Sequence, residues 1–399
     1  MKKSLLLIPF LLLACDNEKV ENVSLLTEEE SVNVVEFVQE KLPVSEDVVE
    51  ELGVVLNTMG MKSDLALMSV DVLQKKSIEK FSLCNTYTNE ECIREDTLLY
   101  FLNFANGGYA ILNAKDESDP IIAIIGQGSI SSDEFLVEDS LNLIHQLILA
   151  YVLDENRVEE DDEQVLTSAP QPKALPSGDW TITEQYGPLI RTKWHQGAPF
   201  NNACNGNLVG CVGLAMAQIV AYKQYPVITT FSQGNMCSWT QINNKSVPET
   251  AIEWNFVQQF LRNIADRCLT DYGVKVSKSN ISKLKDAMEG LGYATVRSQL
   301  YALSAVKNMT SLNKPVFALG VSVYDGEGHC WIIDGYRKYK KGVSVRNYVN
   351  CVIGWENYTA YDGWYRSGIF DPYHRDAISD SEAPTRYESL KLVTYANPN

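Results

Sequence analysis

The stretch NGNLVGCVGLAMAQIVAYKQYP, Asn205 to Pro226, decides how the rest of this sequence is read. Gly210 and Cys211 are followed at once by small and apolar residues, so a helix is expected from Cys211 to Tyr222. The cysteine therefore falls at the mouth of a helix. The unpaired N–H groups and the positive end of the dipole there favour a thiolate over a thiol. A glycine just before it lets other backbone approach closely, and a helix-start amide beside a nucleophile helps to hold an oxyanion. A cysteine that merely fills a core needs none of this. Cys330 and Cys351 lie in apolar, strand-like runs and read as core thiols.

A thiol nucleophile needs an imidazole partner, and the chain contains 4 His. His145 sits inside a helical stretch, where packing explains it, and His374 lies in the loop-like Asp371-Pro372-Tyr373-His374. His195 lies in TKWHQGAPFN, Thr192 to Asn201, and is the residue most easily confused with a base. His329 opens the run GHCWIIDGY, preceded by a glycine and followed by β-formers. An imidazole at the first residue of a buried strand can be held by packing, which makes His329 the candidate base.

The 399 residues suit about two domains, on a prior of roughly 150 residues each. Thr97 to Asn113 reads as a hairpin around Asn106-Gly107-Gly108, Pro120 to Gly126 as a strand, and Ser140 to Leu153 as a helix. From Asp16 to about Val70 the chain is acidic and loosely periodic. Glu155 to Trp180 is acidic and then rich in Pro, Ser and Ala, which marks an exposed boundary between domains. Beyond it, helices are expected at Cys211–Tyr222, Ile252–Cys268 and Ser279–Leu291. Strands are expected at Pro315–Val323, Cys330–Tyr336 and Ser344–Ile353. Helices first and strands later, without βαβ alternation, indicate an α+β fold.

The formal net charge of −17 argues against a nucleic-acid partner. Neither a CxxC pair nor HExxH occurs, so no metal and no cofactor is expected. The opening MKKSLLLIPFLLLAC has a basic start and an apolar core too short to span a bilayer. Its end, Leu12-Leu13-Ala14-Cys15, resembles a bacterial lipobox. The expectation is export, with the mature chain lipid-anchored to the bacterial envelope (outer membrane or surface), secreted, or both. Its only membrane contact would then be the anchor at Cys15. Nothing later reads as a transmembrane span. Cys84 and Cys92 bracket a turn-like stretch and are candidates to pair.

Several segments together resemble the streptopain family, papain-like cysteine peptidases of family C10 that are made as zymogens. GCVGLAMAQIVAYKQYP resembles the nucleophile helix, with Cys211 as nucleophile. KPVFALGVSVYDGEGHCWIIDGY, Lys314 to Tyr336, resembles the histidine segment, with His329 as base. TKWHQGAPFN resembles the oxyanion-hole segment, with Gln196 as donor. Gly354-Trp355 followed by Asp362 to Tyr365 resembles the tryptophan-rich strands, with Trp355 as a supporting residue, and Thr97 to Gly128 resembles the propeptide hairpin. The resemblance implies a papain-like two-subdomain peptidase, a helical part plus an antiparallel β part, preceded by a small α+β propeptide domain. The implied boundaries are a signal at 1–15, a propeptide at 16–166, a linker carrying the activation site at 167–179 and the peptidase at 180–399.

The sequence departs from the family at one point. The family strand reads His-x-Asn-Trp-Gly-Trp, whereas this chain has Asn350-Cys351-Val352-Ile353-Gly354-Trp355. Strand alternation puts Asn350 on the face of Val352, which makes Asn350 a candidate for a displaced orienter of the histidine. The expected function is an exported cysteine endopeptidase acting on protein substrates. Its own propeptide would be an intramolecular inhibitor that covers the cleft until it is cut. The departure at Val352-Ile353 feeds the alternative of an inactive relative that serves as a surface binding or inhibitor-like protein. An amidase or transferase using the same residues is a third reading.

Overall fold

Asn33 caps the first described helix, its side chain accepting the N–H groups of Val35 and Glu36. The computed structural model describes residues 33–42, 44–59, 61, 65–74, 97–114, 116, 119–136, 143–162, 178–226, 239, 246–321, 328–355, 361–371 and 390–396. The signal segment with Cys15, the Cys84–Cys92 pair, the linker from 167 to 177 and His374 lie outside these residues.

The loosely periodic N-terminal stretch forms two helices, α1 (Val34–Lys41) and α2 (Glu46–Thr58), and leads into strand β1 (Leu67–Gln74). The expected hairpin is present as β2 (Thr97–Phe104) and β3 (Tyr109–Asn113), and the next strand as β4 (Ile121–Ile125). A short helix α3 (Ser132–Phe135) precedes α4 (Leu143–Asp162). Helix α4 runs beyond the expected Leu153, through the acidic residues assigned above to the boundary. Glu and Arg are good helix formers, and here their propensity extends the helix.

The C-terminal part contains β5 (Thr181–Tyr186), α5 (Cys211–Lys223), α6 (Ala251–Arg267), α7 (Ile281–Gly290), β6 (Ala294–Leu300) and α8 (Leu303–Ser311). It continues with β7 (Val316–Val321), β8 (Gly328–Lys341), β9 (Ser344–Val352), β10 (Gly363–Arg366) and β11 (Lys391–Ala396). Helices α5 to α7 and strands β7 to β9 follow the expected pattern. Helix α6 opens with a capping box between Thr250 and Glu253, a local signal that fixes its start. Among the described residues no helix is long and apolar enough to cross a membrane.

The strands make one sheet in the order β1-β2-β3-β4-β10-β9-β8-β7-β11-β6, with β5 paired to β8. Every pairing is antiparallel. The architecture is therefore α+β, a helical part against an antiparallel part. Four N-terminal strands extend the sheet of the C-terminal part through β4, where Ile125, Ile124 and Ala123 register with Gly363, Trp364 and Tyr365. The N-terminal part was expected to be a separate folded unit; its strands continue the sheet of the C-terminal part and its residues share the core.

Two apolar clusters lie against this sheet. One joins α4, α5 and α6 to residues of β2, β3, β7, β8 and β9. The other joins α1 and α2 to Trp180, Tyr339, Tyr348 and Trp364. Around the second cluster runs a belt of charge. Lys341 Nζ meets Asp47 Oδ1 at 2.7 Å and Glu50 Oε2 at 2.5 Å. Arg346 meets Asp119 at 2.9 Å and Glu51 at 3.5 Å, and Arg366 also pairs with Asp119. Burial raises the Glu51 carboxyl above its usual range, against the pull of Arg366 and Arg346. The same burial draws the Arg366 guanidinium down to about 10.

Glu51 has no exposed surface and accepts the Tyr348 hydroxyl at 2.8 Å. Tyr348→Phe removes that donor from a buried acceptor, which costs about 1–3 kcal/mol. The expected result is a lower urea midpoint for the full chain. An unchanged midpoint would mean that the carboxylate finds another donor.

Candidate active site

Helix α5 is apolar on every side, with each residue from Val212 to Ala221 buried. Such a helix must be covered all round, and α6 and the sheet cover it here. Its first residue is Cys211, after Gly210 at φ +90°. The cysteine is half-buried. Burial pushes its thiol above the ordinary range, while the backbone N–H groups of Cys330, Val212 and Cys211 itself favour the thiolate. The sulfur thus lies beside the backbone of the residue that follows His329. Tertiary packing has brought the helix mouth and the start of β8 together.

His329 pairs across the ladder with Gly320 of β7 and is buried. Its Nε2 lies 2.9 Å from the carbonyl oxygen of Ile353. A carbonyl only accepts, so Nε2 carries the hydrogen, and Nδ1 is the nitrogen left to exchange a proton with a thiol. Burial pulls the ring down to about 4, only partly offset by the Ile353 bond. The half-buried Trp355 covers the imidazole edge-on, with ring centroids 4.5 Å apart and planes at 78°.

The acceptor belongs to a turn between β9 and β10 that is held on both sides. Gly354 has φ +70°, and a Cβ there would lie 2.6 Å from Leu214 Cδ2, one turn along from Cys211. Only glycine fits this approach. On the other side Asp362 Oδ1 accepts the Ile353 N–H at 2.7 Å.

The predicted residues fall as follows. His329 and Trp355 come together, and the Cys211 sulfur lies against the backbone of Cys330, the residue after His329. Gln196 is buried, and its backbone carbonyl accepts the N–H of Val209, two residues before the nucleophile. This ties the Gln196 loop to the segment entering α5. Neighbouring His195 packs edge-on against Phe200 at 4.7 Å, and burial lowers its pKa. Asn350 lies in β9 opposite Trp364, its Cβ in the path of any side chain on Gly335. The acceptor for His329 is the Ile353 backbone, so the orienting position expected of Asn350 is filled by a carbonyl that no side-chain pattern reveals. Asp362 and Asp334 were not singled out from the sequence. Asp334 Oδ2 accepts the N–H groups of Leu189 and Ile190 at 2.8 and 2.7 Å, anchoring the chain that leads to Gln196. An acid inside the apolar run WIIDGY was the available signal. Among the described residues no cluster of three or more His, Cys, Asp or Glu is arranged to hold a metal ion.

The helix-mouth cysteine and the strand-start histidine sit on a helical part packed against an antiparallel sheet, an architecture like that of papain-like cysteine peptidases. Residues 194–365 match the Peptidase C10 family, the streptopain family that the motifs resemble. Among solved structures the chain is similar to a fragment of prointerpain A from Prevotella intermedia. That likeness has a TM-score of 0.52 and 18% identity, covering 77% of this chain and 98% of the other. Active wild-type interpain A cysteine protease from the same organism matches with a TM-score of 0.37 and 19% identity, over 56% of this chain and 98% of that one. No curated protein sequence matches the chain.

With the thiol raised and His329 lowered to about 4, both groups are uncharged at pH 5 to 6 in the chain as folded here. Iodoacetamide is expected to label Cys211 of the uncut chain no faster than an ordinary thiol at that pH, followed by mass spectrometry. Fast labelling would mean that the charged pair is already formed.

Proposed function

We propose that this chain is an exported cysteine endopeptidase, made as a zymogen and acting on protein substrates through Cys211 and His329. The observation that carries this reading is the placement of the Cys211 sulfur against the backbone of Cys330 while His329 Nε2 is fixed by Ile353. In the reaction, Cys211 Sγ attacks the scissile carbonyl and its proton passes to His329 Nδ1. The imidazolium is held through Nε2–H on the Ile353 oxygen. The oxyanion of the tetrahedral intermediate is met by the Cys211 N–H and the Gln196 side chain. His329 then gives its proton to the leaving amine. Water hydrolyses the thioester, with His329 as base. The replacement of the Asn-Trp pair by Val352-Ile353 does not count against turnover on this reading, because a backbone acceptor is independent of side chain. Export and a lipid anchor at Cys15 are part of the proposal and rest on the first fifteen residues.

Cys211→Ala and His329→Ala are expected to abolish hydrolysis of casein by the processed chain. Gln196→Ala should lower kcat by about 10²–10³ and change KM little. A larger loss from His195→Ala than from His329→Ala would reverse the assignment of the base.

Latency is supported by what the N-terminal part touches. Leu143 of α4 fills the space beside Gly320, the ladder partner of His329. His145 packs edge-on against Tyr361, next to Asp362, with centroids 5.3 Å apart. The N-terminal part thus braces the strands that carry the base and its acceptor. A shared sheet and two shared cores also outlast a cut in the linker. A chain nicked between residues 167 and 179 is expected to co-elute as one particle on size exclusion, with activity rising only as the N-terminal part is digested. Release of that part on nicking alone, with full activity, would show that the linker by itself maintains latency.

A further inference from the structure

His329 is held by a backbone carbonyl, which raises the question of what holds that carbonyl. Three contacts meet at the Ile353–Gly354 turn. Leu214 of the nucleophile helix lies against Gly354 and leaves no room for a side chain there. His329 Nε2 donates to the Ile353 oxygen at 2.9 Å. Asp362 accepts the Ile353 N–H at 2.7 Å, and the Gly354 N–H is also directed at its carboxylate. The Gly354 N–H and the Ile353 carbonyl belong to the same peptide unit. A carboxylate on the N–H end polarises that unit and makes its oxygen a stronger acceptor, since hydrogen bonds in a chain reinforce one another. Carboxylate, peptide and imidazole therefore stand in series, and the other side of the turn abuts the helix that begins with Cys211.

We infer that Asp362 is a positioning residue for the cysteine–histidine pair. It acts through the Ile353–Gly354 peptide unit to fix the Nε2–H tautomer of His329 and to stabilise the imidazolium. The inference rests on the peptidase reading for its catalytic consequence, but the contacts themselves do not. Asp362 is half-buried in the turn. Besides the two amides it faces the ammonium of Lys193, and Asp334, Cys351, Tyr109 and Tyr365 share its surroundings. Burial raises its carboxyl to about 6, with the two amides and Lys193 pulling the other way. Asp334, raised by burial to about 7, is the neighbouring carboxyl that titrates close by.

The test compares the wild-type chain with Asp362→Asn, both expressed full length and processed with the same added protease. The asparagine keeps size and shape but loses the charge and one acceptor. Expected are a kcat lower by about 10- to 100-fold, as for misplacement of a catalytic group, and a KM unchanged within about twofold. The basic limb of the kcat/KM profile, which reports loss of the imidazolium, should move to lower pH by roughly half to one unit. Unchanged kcat and limb in Asp362→Asn would overturn the inference, and so would a lower kcat with the limb in place. A wild-type chain that cleaves no peptide would sink the peptidase reading instead. Alkylation of Cys211 by iodoacetamide at pH 5 to 6, fast in the processed wild type and slow in the variant, would still support the role of Asp362. If Asp362→Asn does not fold, the uncut wild-type chain with ¹⁵N-labelled histidine decides. His329 should show the Nε2–H tautomer, and its Nε2 shift should move in a step near pH 6 that persists in Asp334→Asn. An Nδ1–H tautomer, or a shift indifferent to that step, would overturn the inference.

Discussion

Helix α5 has no polar face. From Val212 to Ala221 every side chain is buried, so the rest of the molecule must cover it all round. A half-exposed helix would be indifferent to what lies behind it, whereas this one is stable only between α6 and the sheet. Coverage on all sides removes the freedom to slide or rotate. The first residue of α5 is then held to a defined spot against the start of β8, where Cys330 turns its N–H toward the sulfur.

The sheet imposes the second constraint. Because β4 pairs with β10, the N-terminal strands lie in register with the strands that follow the site. The join is apolar on one face, where α1 and α2 meet Tyr339, Tyr348 and Trp364, and is ringed by Lys341, Arg346 and Arg366 against Asp47, Glu50, Glu51 and Asp119. The apolar area supplies most of the attraction. The charges contribute registry, since a buried ion pair gains little over its desolvation but is costly to break. Helix α4 adds contacts beside Gly320 and Tyr361. The N-terminal part thus touches the strands on either side of His329 and Ile353.

At the site, backbone does work that side chains do in many enzymes. An amide donor meets the sulfur and a carbonyl meets the imidazole. Backbone groups tolerate sequence change, which explains how Val352 and Ile353 can stand where the family has Asn and Trp. They depend in return on the turn that presents them, and this turn needs Gly354 against Leu214 and a carboxylate at 362.

Much of this was legible in the sequence. The glycine before Cys211, the run of small apolar residues after it, the glycines of the β2–β3 turn and the β-rich run after His329 are local signals, and local signals depend only on neighbours along the chain. They sufficed for the α+β class, the hairpin, the central helices and the candidate pair. The orienting group was not legible, because Asn350 near the end of β9 and Ile353 in the turn after it are three residues apart, and only the register of β8 against β9 and the tight Gly354 turn decide which of them reaches His329. Nor was the union of the two parts, since pairing of β4 with β10 joins residues more than two hundred apart and leaves no trace in either segment. Sequence by itself determined the candidate residues for the chemistry and many of the stretches that become helix or strand, through propensity and pattern. Only the tertiary structure decided that a peptide carbonyl holds the imidazole and that the N-terminal strands share the sheet. Both depend on contacts between segments distant along the chain.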